Sequence, residues 1–499
     1  MPTPYQKLED RFQRLAQIDH ALTFLEWDQL VMMPPGGNEA RARSMAELTA
    51  LRHELLIDPQ VGDLIGEAAE KEKAPDLKRS VVEMARAWRQ AVCLPADLVK
   101  AKSLAGTRCE HGWRTQRQEN DWPGFLKNFK EVVRLSREEA RIRQAAEPER
   151  FATPYDALLD LYCTGDESAF IKGVFEELKQ VLPLLLNQIL ERQSASGAGL
   201  SGRYPIRAQE ELNRRLMTLL GFDFDSGRLD VSMHPFSTGV RGDHRITTRF
   251  RETDFVDALM ATAHETGHAS YEAGLPKRWE GLPVGWARNM CIHESQSLFF
   301  EKHLCLSRHF LDFFASPLHE CLPETAGLDG ERIWSESIRV RPSFIRIEAD
   351  EVTYPLHVML RFEIESGLID GTLEAEDIPD LWDRKMQQYL GLSTRGNDKD
   401  GCLQDIHWTD GAFGYFPSYT MGALNAAQIA DAVGRALPDW RERLGKGDIS
   451  PVRRWLHENI WRKGSLVNSQ EILRSATGEK TNPRCFLNHL RARYLEHRY

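Results

Sequence analysis

The 499-residue chain carries a formal net charge of −10, with 41% hydrophobic and 28% charged residues. This balance is typical of a soluble globular protein, and its acidic excess argues against nucleic acid or an anionic membrane surface as a partner. No signal segment is visible at the N-terminus, and no apolar run is long enough to cross a bilayer. The eight cysteines form no C-x-x-C pair. We therefore expect a cytoplasmic protein with reduced thiols.

Helical periodicity dominates the N-terminal part of the chain. From Tyr5 to about Leu25, apolar residues recur every three or four positions, and a Pro- and Gly-rich break follows at 33–37. A second helix is predicted through Leu48, Leu51 and Leu55, and further helices at about 76–93, 123–145 and 167–193. Residues 194–203 are the clearest predicted loop. Because no linker is long enough to separate domains, we expect one domain over residues 1–499.

The pattern changes to strand-like alternation between about 221 and 250. The segments Arg228–Met233 and His244–Phe250 are β-prone and separated by glycines, which predicts a short β-ribbon. Helices are predicted again at about 296–315, 331–365, 377–391, 425–436 and 451–462. The expected fold class is therefore mainly α, with one small sheet.

The segment His264-Glu265-Thr266-Gly267-His268 follows this ribbon directly. On a helix, positions i and i+4 share one face, so both imidazoles can bind one metal ion. Glu265 lies beside them, where its carboxylate can take a proton from a water molecule, as in zinc peptidases. The alternative is a surface helix that carries two unrelated histidines.

A catalytic zinc site needs a third protein ligand. The positions at which other zinc peptidases place this ligand hold Tyr271, Gly274, Ala287 and Arg288. The next candidate is Glu294, in a second apolar-rich segment, and the alternative is that Glu294 is an ordinary solvated helix residue.

Two possible ion pairs elsewhere in the chain could also have a function. Asp243 and Arg245 fall on one face of a strand, where a surface ion pair is the simpler interpretation. Arg346 and Asp350 have helical i,i+4 spacing, which favours a helix-stabilising pair. The functional alternative is that Arg346 binds a substrate carboxylate, which suits the geometry of a guanidinium group.

Possible hydrogen-bond donors for an oxyanion lie in a Gly- and Pro-rich stretch near residue 410. His407, Tyr415 and Tyr419 are of the right residue type for this role. They could equally be buried aromatic groups whose polar atoms are already hydrogen-bonded.

Together these motifs resemble the carboxypeptidase Taq-type metallocarboxypeptidases. The matching segments, in order, are WDQLVMMPPGG, DHRIT, HETGH, HESQ, IRIEAD, GCLQDIHW and GYFPSYTMG, and they span nearly the whole chain. Two positions depart from the family pattern: Leu298 stands where many relatives carry Arg, and Cys163-Thr164-Gly165 stands where an acidic-proline turn is common.

The resemblance implies a large helical domain with a deep substrate groove and the metal at its floor. It implies a helical lid region over about 1–100 and an active-site region over about 220–425. The implied activity is zinc-dependent release of single C-terminal residues from peptides with broad specificity, by an enzyme that is often a homodimer. Cobalt or manganese could replace zinc in a site of this composition.

The resemblance also implies a role for each matching residue. It makes His264, His268 and Glu294 the metal ligands and Glu265 the general base. Arg346 becomes the holder of the substrate carboxylate, with Arg245 and its neighbour Asp243 as competitors for substrate binding, and the list of candidate transition-state contacts is His407, Tyr415 and Tyr419. Two other functions stay open: a helical-groove oligopeptidase or dipeptidase, and a peptide-binding scaffold without catalysis.

Overall fold

The structure, a computed structural model, describes residues 1–193, 199–200 and 202–497. The predicted loop at 194–203 falls mostly outside these residues.

Twenty α-helices and one small sheet make up the regular structure of the described chain, which confirms the mainly α prediction. The helices are α1 Pro4–Val31, α2 Asn38–Ile57, α3 Pro59–Lys71, α4 Pro75–Val92, α5 Ala96–Gln118, α6 Trp122–Ala146, α7 Pro154–Leu159, α8 Ser168–Arg192, α9 Ile206–Leu219, α10 Val256–Gly274, α11 Met290–Leu298, α12 Arg308–Cys321, α13 Gly330–Ser337, α14 Tyr354–Asp370, α15 Ile378–Leu390, α16 Pro417–Ala436, α17 Trp440–Leu444, α18 Ser450–Asn459, α19 Ser469–Thr477 and α20 Arg484–Tyr494. No helix of the described chain has both the length and the apolar content needed to cross a bilayer.

The sheet has three strands, where the sequence predicted a two-stranded ribbon. Its strands are β1 Gly227–Val231, β2 Phe236–Val240 and β3 Asp243–Thr248, in the order β1-β3-β2. The two predicted strands do pair, with Leu229 opposite Ile246, but they run parallel, and β2 pairs antiparallel on the other side of β3. The sequence missed β2 because all its residues are only partly buried, so no apolar alternation marks it.

Helix α11 packs against both α10 and α16 within the main hydrophobic core. Asp254 caps α10 by accepting hydrogen bonds from the backbone N–H groups of Val256 and Asp257. Two glycines allow the three helices to approach closely. A Cβ on Gly267 of α10 would lie 2.6 Å from the carbonyl oxygen of Gln296, and a Cβ on Gly422 of α16 would lie 2.6 Å from Cγ of Glu294.

The predicted helices at 296–315 and 331–365 are both interrupted. The first divides into α11, a π-helical turn over Phe299–Cys305, and α12. The second divides into α13 and α14, with only a short 3₁₀ turn at Arg346–Glu348 between them. Pro342 contributes to this break, because proline lacks the backbone N–H and disfavours helical backbone in the preceding residue.

Helices α1 to α4 surround a second, smaller hydrophobic cluster. This cluster also takes in Trp279, Leu282 and Val284 from the segment before α11. Its remaining buried members are Tyr5, Leu8, Phe12, Leu15, Leu56, Val61, Ala68, Val81 and Met84. The first hundred residues therefore include a helical layer with a core of its own, next to the core that holds α10 and α11.

Candidate metal centre

Helices α10 and α11 bring three potential metal ligands together. Nε2 of His264 and Nε2 of His268 lie 3.7 and 3.5 Å from Oε2 of Glu294. Ligand atoms about 2.0–2.2 Å from a tetrahedral zinc ion are separated by about 3.3–3.6 Å, so the spacing fits such an ion. Within the described chain, these three residues are the one group of histidine, cysteine or acidic side chains with metal-binding spacing.

A neighbouring carboxylate orients His264. Oε2 of Glu301, on the π-helical turn, lies 2.8 Å from Nδ1 of His264, which leaves Nε2 free to face Glu294. Burial would raise the pKa of Glu301, but Lys302 and His264 outweigh it and lower this pKa to about 2. Burial would likewise lower the pKa of His264, but Glu294 and Glu301 raise it to about 9. The surplus of carboxylates makes this a site that attracts a cation.

His268 is oriented by stacking on a second imidazole. Its ring lies 4.4 Å from that of His293, at an interplanar angle of 25°. Nε2 of His293 lies 2.9 Å from Oε1 of Glu272, which holds the stacked ring in place. Burial and the neighbouring His293 lower the pKa of His268 to about 4, so its imidazole is neutral and can donate a lone pair to a metal.

Glu265 lies beside the cluster with its carboxylate largely free. The residue is 7% exposed, and its side chain accepts no hydrogen bond from the described residues. Burial raises the pKa of Glu265 to about 7, although the neighbouring His264 partly offsets the rise. A buried carboxyl group with a pKa near neutrality is suited to general base chemistry.

A cavity of about 210 Å³ lies against the candidate metal ligands. His264 and Glu294 form one part of its wall, and Tyr354 and Tyr419 form another. Leu298 also lines the cavity. The cavity therefore connects the ligand cluster to two phenolic side chains.

Arg346 is buried next to this cavity, but the predicted helical pair with Asp350 is wrong. Nε and Nη2 of Arg346 lie 3.0 and 2.9 Å from Oδ1 of Asp405, and Nη1 donates a 2.6 Å hydrogen bond to the hydroxyl of Tyr354. The guanidinium also packs over the ring of Tyr419, at 5.2 Å. Asp350 instead accepts hydrogen bonds from backbone N–H groups, because the chain is not helical here.

His407, Tyr415 and Tyr419 come together on the same side of the cavity. The hydroxyl of Tyr419 lies 3.4 Å from Nε2 of His407, and the ring of Tyr415 is 5.3 Å from that of Tyr419 and 5.4 Å from that of His407. Burial, and then the charge of Arg346, lower the pKa of His407 to about 4, so this histidine is a neutral partner. The three residues form a group of neutral hydrogen-bonding side chains.

Asp243 and Arg245 form a two-point ion pair away from this cavity. Nε and Nη2 of Arg245 donate to the Asp243 carboxylate at 3.0 and 2.8 Å. The Arg245 guanidinium lies over the rings of Phe24 and Trp27 of α1, at 4.3 and 4.1 Å. Within the described chain, no hydrogen bond or ring contact joins Arg245 to the ligand cluster. The pair therefore connects the sheet to α1, and it does more than the simple surface ion pair predicted from the sequence.

Glu301 and Tyr354 were not predicted from the sequence. Glu301 follows Glu294 by seven residues, a spacing that would place both on one face of a regular helix and that could have marked it. Tyr354 had no such signal, because its proximity to Arg346 depends on the irregular backbone between α13 and α14.

A family model for the carboxypeptidase Taq (M32) metallopeptidases matches residues 7–494. Among curated proteins, thermostable carboxypeptidase 1 of Thermus thermophilus is 36% identical, over 98% of each chain, and its namesake in Pyrococcus furiosus is 34% identical, over 97% of each. Among solved structures, Trypanosoma cruzi metallocarboxypeptidase 1 superposes with a TM-score of 0.96 at 41% identity, covering 98% of this chain and 99% of that one. The M32 carboxypeptidase of Deinococcus radiodurans gives a TM-score of 0.94 at 32% identity, covering 99% of each.

Proposed function

The chain belongs to the carboxypeptidase Taq (M32) family of metallopeptidases and is a metallocarboxypeptidase, and we propose that it uses zinc to release single residues from peptide C-termini with broad specificity. The observation that carries this proposal is the convergence of two histidines and a glutamate on one point, with Glu265 beside them and Arg346 near the same cavity. These are the groups that such a reaction needs within one small volume.

In this proposal His264, His268 and Glu294 hold the metal. Their spacing and the acidic surroundings support this role, and a set of two imidazoles and one carboxylate suits zinc, while cobalt and manganese accept the same donors. A bound zinc ion would lower the pKa of a water molecule and polarise the scissile carbonyl group. Glu301 and His293 would keep the two imidazoles aimed at the ion.

Glu265 would act as general base and then as general acid. Its carboxylate takes a proton from the attacking water and later gives that proton to the leaving amine. Two features support this role: the carboxylate carries no competing hydrogen bond from the described residues, and its pKa is raised to about 7. A group that titrates near neutral pH can both accept and return a proton.

Tyr419, with His407 and Tyr415 next to it, would donate to the oxyanion that forms on the scissile carbonyl. Tyr419 lines the cavity that His264 and Glu294 also line, which supports its role as the nearest donor of the three. Burial keeps the pKa of its hydroxyl well above the usual value, so the group keeps its proton and can donate. His407 lies 3.4 Å from this hydroxyl and would orient it.

Arg346 is our preferred holder of the substrate's terminal carboxylate. It contacts Tyr354, which lines the cavity, whereas Arg245 is held by Asp243 and by the aromatic rings of α1. A substrate without a free carboxylate would lose its charge-assisted hydrogen bonds to the N–H groups of Arg346 that Asp405 and Tyr354 leave free, which disfavours endopeptidase activity.

We also propose one catalytic domain over residues 1–499, with about 1–100 acting as a lid above a substrate groove and about 220–425 as the active-site region. The separate hydrophobic cluster of α1 to α4 and the contact between Arg245 and α1 support a lid. We further propose a cytoplasmic enzyme, because all eight cysteines are unpaired, and a homodimer, as the family resemblance implies.

Product analysis of one unstructured peptide tests the activity. The zinc-loaded enzyme should produce a ladder that loses one residue at a time, and a chelator or C-terminal amidation should abolish it. Internal cuts in both the free and the amidated peptide would support an oligopeptidase instead, release of dipeptides would support a dipeptidase, and no cleavage with zinc bound would support a binding scaffold.

A matched pair of variants tests the carboxylate holder. Arg346→Gln should lower kcat/KM by roughly 10- to 100-fold, because a charge-assisted hydrogen bond contributes about 1.5–3 kcal/mol. Arg245→Gln should have a much smaller effect on kcat/KM. The opposite order of effects would assign the role to Arg245.

A further inference from the structure

A pocket of about 290 Å³ lies behind the metal-binding helix. Ala269, Ser270 and Ala273 of α10 form one wall of it. At 100° per residue these positions lie roughly 170° around the helix from His264 and His268. The turn between α9 and β1, the start of β3 and the first turns of α18 complete the pocket. It is therefore separate from the cavity at the metal centre.

Arg453 of α18 lines this pocket without a protein partner. Within the described chain its side chain forms no ion pair or hydrogen bond, and its Nε is buried without an acceptor. The guanidinium packs directly against Gly221, where a Cβ would lie 1.8 Å from Nη1 and where φ is +81°. Glycine at this turn leaves room for the guanidinium. A partly buried cation without a counter-charge is costly unless a ligand supplies one.

Two further polar side chains face the same pocket without partners in the described structure. The imidazole of His244 is 7% exposed, and the hydroxyl-bearing Ser270 is 5% exposed. Neither side chain makes a hydrogen bond within the described residues. The imidazole, the hydroxyl and the guanidinium group that line this pocket can donate several hydrogen bonds, and no acceptor within the described residues takes them.

The other charged groups at the pocket already have partners. Arg241 donates to the carbonyl oxygens of Ala273 and Leu275 and pairs with Glu280. Asp223 accepts hydrogen bonds from the hydroxyl of Ser226 and from the backbone N–H of Asp225. Within the described chain, Arg453 is therefore the charged side chain at the pocket whose polar atoms have no partner, whereas the Asp223 carboxylate is hydrogen-bonded to neutral donors.

We propose that this pocket binds a tetrahedral oxyanion, with inorganic phosphate as the simplest example. The guanidinium fork of Arg453 can hold two oxygens, and His244 and Ser270 can donate to others. A carboxylate carries one charge and two oxygens, so the oxygens that pair with Arg453 must also serve His244 and Ser270, whereas phosphate has four oxygens and more charge; a neutral ligand leaves the cation unpaired. Because Ser270 lies on the helix that carries His264 and His268, the bound anion stabilises the folded enzyme around that helix.

Thermal unfolding of the zinc-loaded enzyme in increasing inorganic phosphate tests the proposal, with chloride used to keep the ionic strength constant. The Tm should rise to a plateau with phosphate, and acetate should give no comparable rise. Arg453→Gln should weaken phosphate binding by about tenfold or more, because a charged hydrogen bond is worth about 1.5–3 kcal/mol. The matched control is Arg454→Gln, which removes an exposed arginine from the same helix and should bind phosphate like the parent enzyme.

Ser270→Val provides a second variant in case Arg453→Gln does not fold. It replaces the hydroxyl with two methyl groups inside the pocket and should also weaken phosphate binding. The proposal is overturned if the parent enzyme shows no saturable rise, if acetate is as effective as phosphate, or if the pocket variants and Arg454→Gln bind phosphate equally well. Equal binding would mean that phosphate binds elsewhere, for example at the metal.

Discussion

Gly267 sets the distance between the helix that carries the two histidines and the helix that carries Glu294. In Gly267→Ala the new Cβ would lie 2.6 Å from the carbonyl oxygen of Gln296 and 2.7 Å from Cα of Ser297. Carbon and oxygen atoms normally approach to about 3.3–3.6 Å, so the backbones must separate by about 0.7 Å or more. Both obstructing atoms belong to backbone, so no side-chain rotation can relieve the clash.

This displacement is large compared with the precision that a metal site requires. Metal–ligand distances tolerate deviations of about 0.2 Å, so moving Glu294 away from the histidines should weaken zinc binding by about 10- to 100-fold or more. Stability should change less, because the helix propensity of alanine adds up to about 1 kcal/mol while overpacking costs about 1–3 kcal/mol. Zinc competition against a chromophoric chelator measures the first effect, and thermal unfolding measures the second.

Gly173→Ala is the matched control for this variant. Gly173 also lies inside a helix, α8, but a Cβ there would meet nothing within 4 Å. This control should keep zinc affinity and turnover and gain up to about 1 kcal/mol of stability. If Gly267→Ala binds zinc within about a factor of two of the parent enzyme and keeps its turnover, the close approach of α10 and α11 does not position the third ligand, and our reasoning is wrong.

Three further predictions follow from the site and its surroundings. Glu265→Gln should bind zinc normally, but its kcat should fall by about 10²–10⁴-fold. Metal analysis and peptide turnover measure the two effects, and persistent activity in the zinc-loaded variant would contradict the role of Glu265 as general base. Glu301→Gln removes the charged partner of His264 and should weaken zinc binding by about 10- to 100-fold in a chelator competition, so an unchanged affinity would contradict the orienting role. Glu351 has a pKa well below its usual 4.5, because Arg493 and the neighbouring histidines outweigh the opposing effect of burial. The ionised Glu351 therefore stabilises the folded state fully above pH 4.5, and this stabilisation is lost as the pH falls through the folded-state pKa. The Tm difference between the parent enzyme and Glu351→Gln should be largest at neutral pH and should shrink below about pH 4.5. A Tm difference that does not depend on pH would contradict the lowered pKa of Glu351.

Helix α10, which carries the candidate metal ligands His264 and His268, shows how far local pattern can predict structure. Phe255, Leu259 and Ala263 recur every four positions, which is typical of a helix with one buried face. All three residues are buried, Leu259 and Ala263 within α10 and Phe255 immediately before it. The same periodicity places His264 and His268 on a shared face. Both inferences depend on interactions within one or two helical turns, which the sequence contains in full.

The surroundings of Arg346 show where local pattern fails. Its i,i+4 spacing from Asp350 suggested a helical pair, but this segment is irregular, and the arginine pairs with Asp405, which is 59 residues away. The tyrosine that shares its guanidinium, Tyr354, begins the next helix. Contacts between residues this distant in sequence depend on how α14 packs against the loop near residue 405. The periodicity of apolar residues in the sequence does not predict that packing.

By itself the sequence determined the fold class, the family and the residue types of the candidate site, because periodicity and short motifs are local properties. Only the tertiary structure decided that Glu294 meets the two histidines, that Glu301 supports His264 through a π-helical turn, and that Arg245 binds to α1. The physical reason is that these contacts join elements far apart in the chain. Their geometry depends on how closely helices pack, and here close packing requires glycine at 267 and 422.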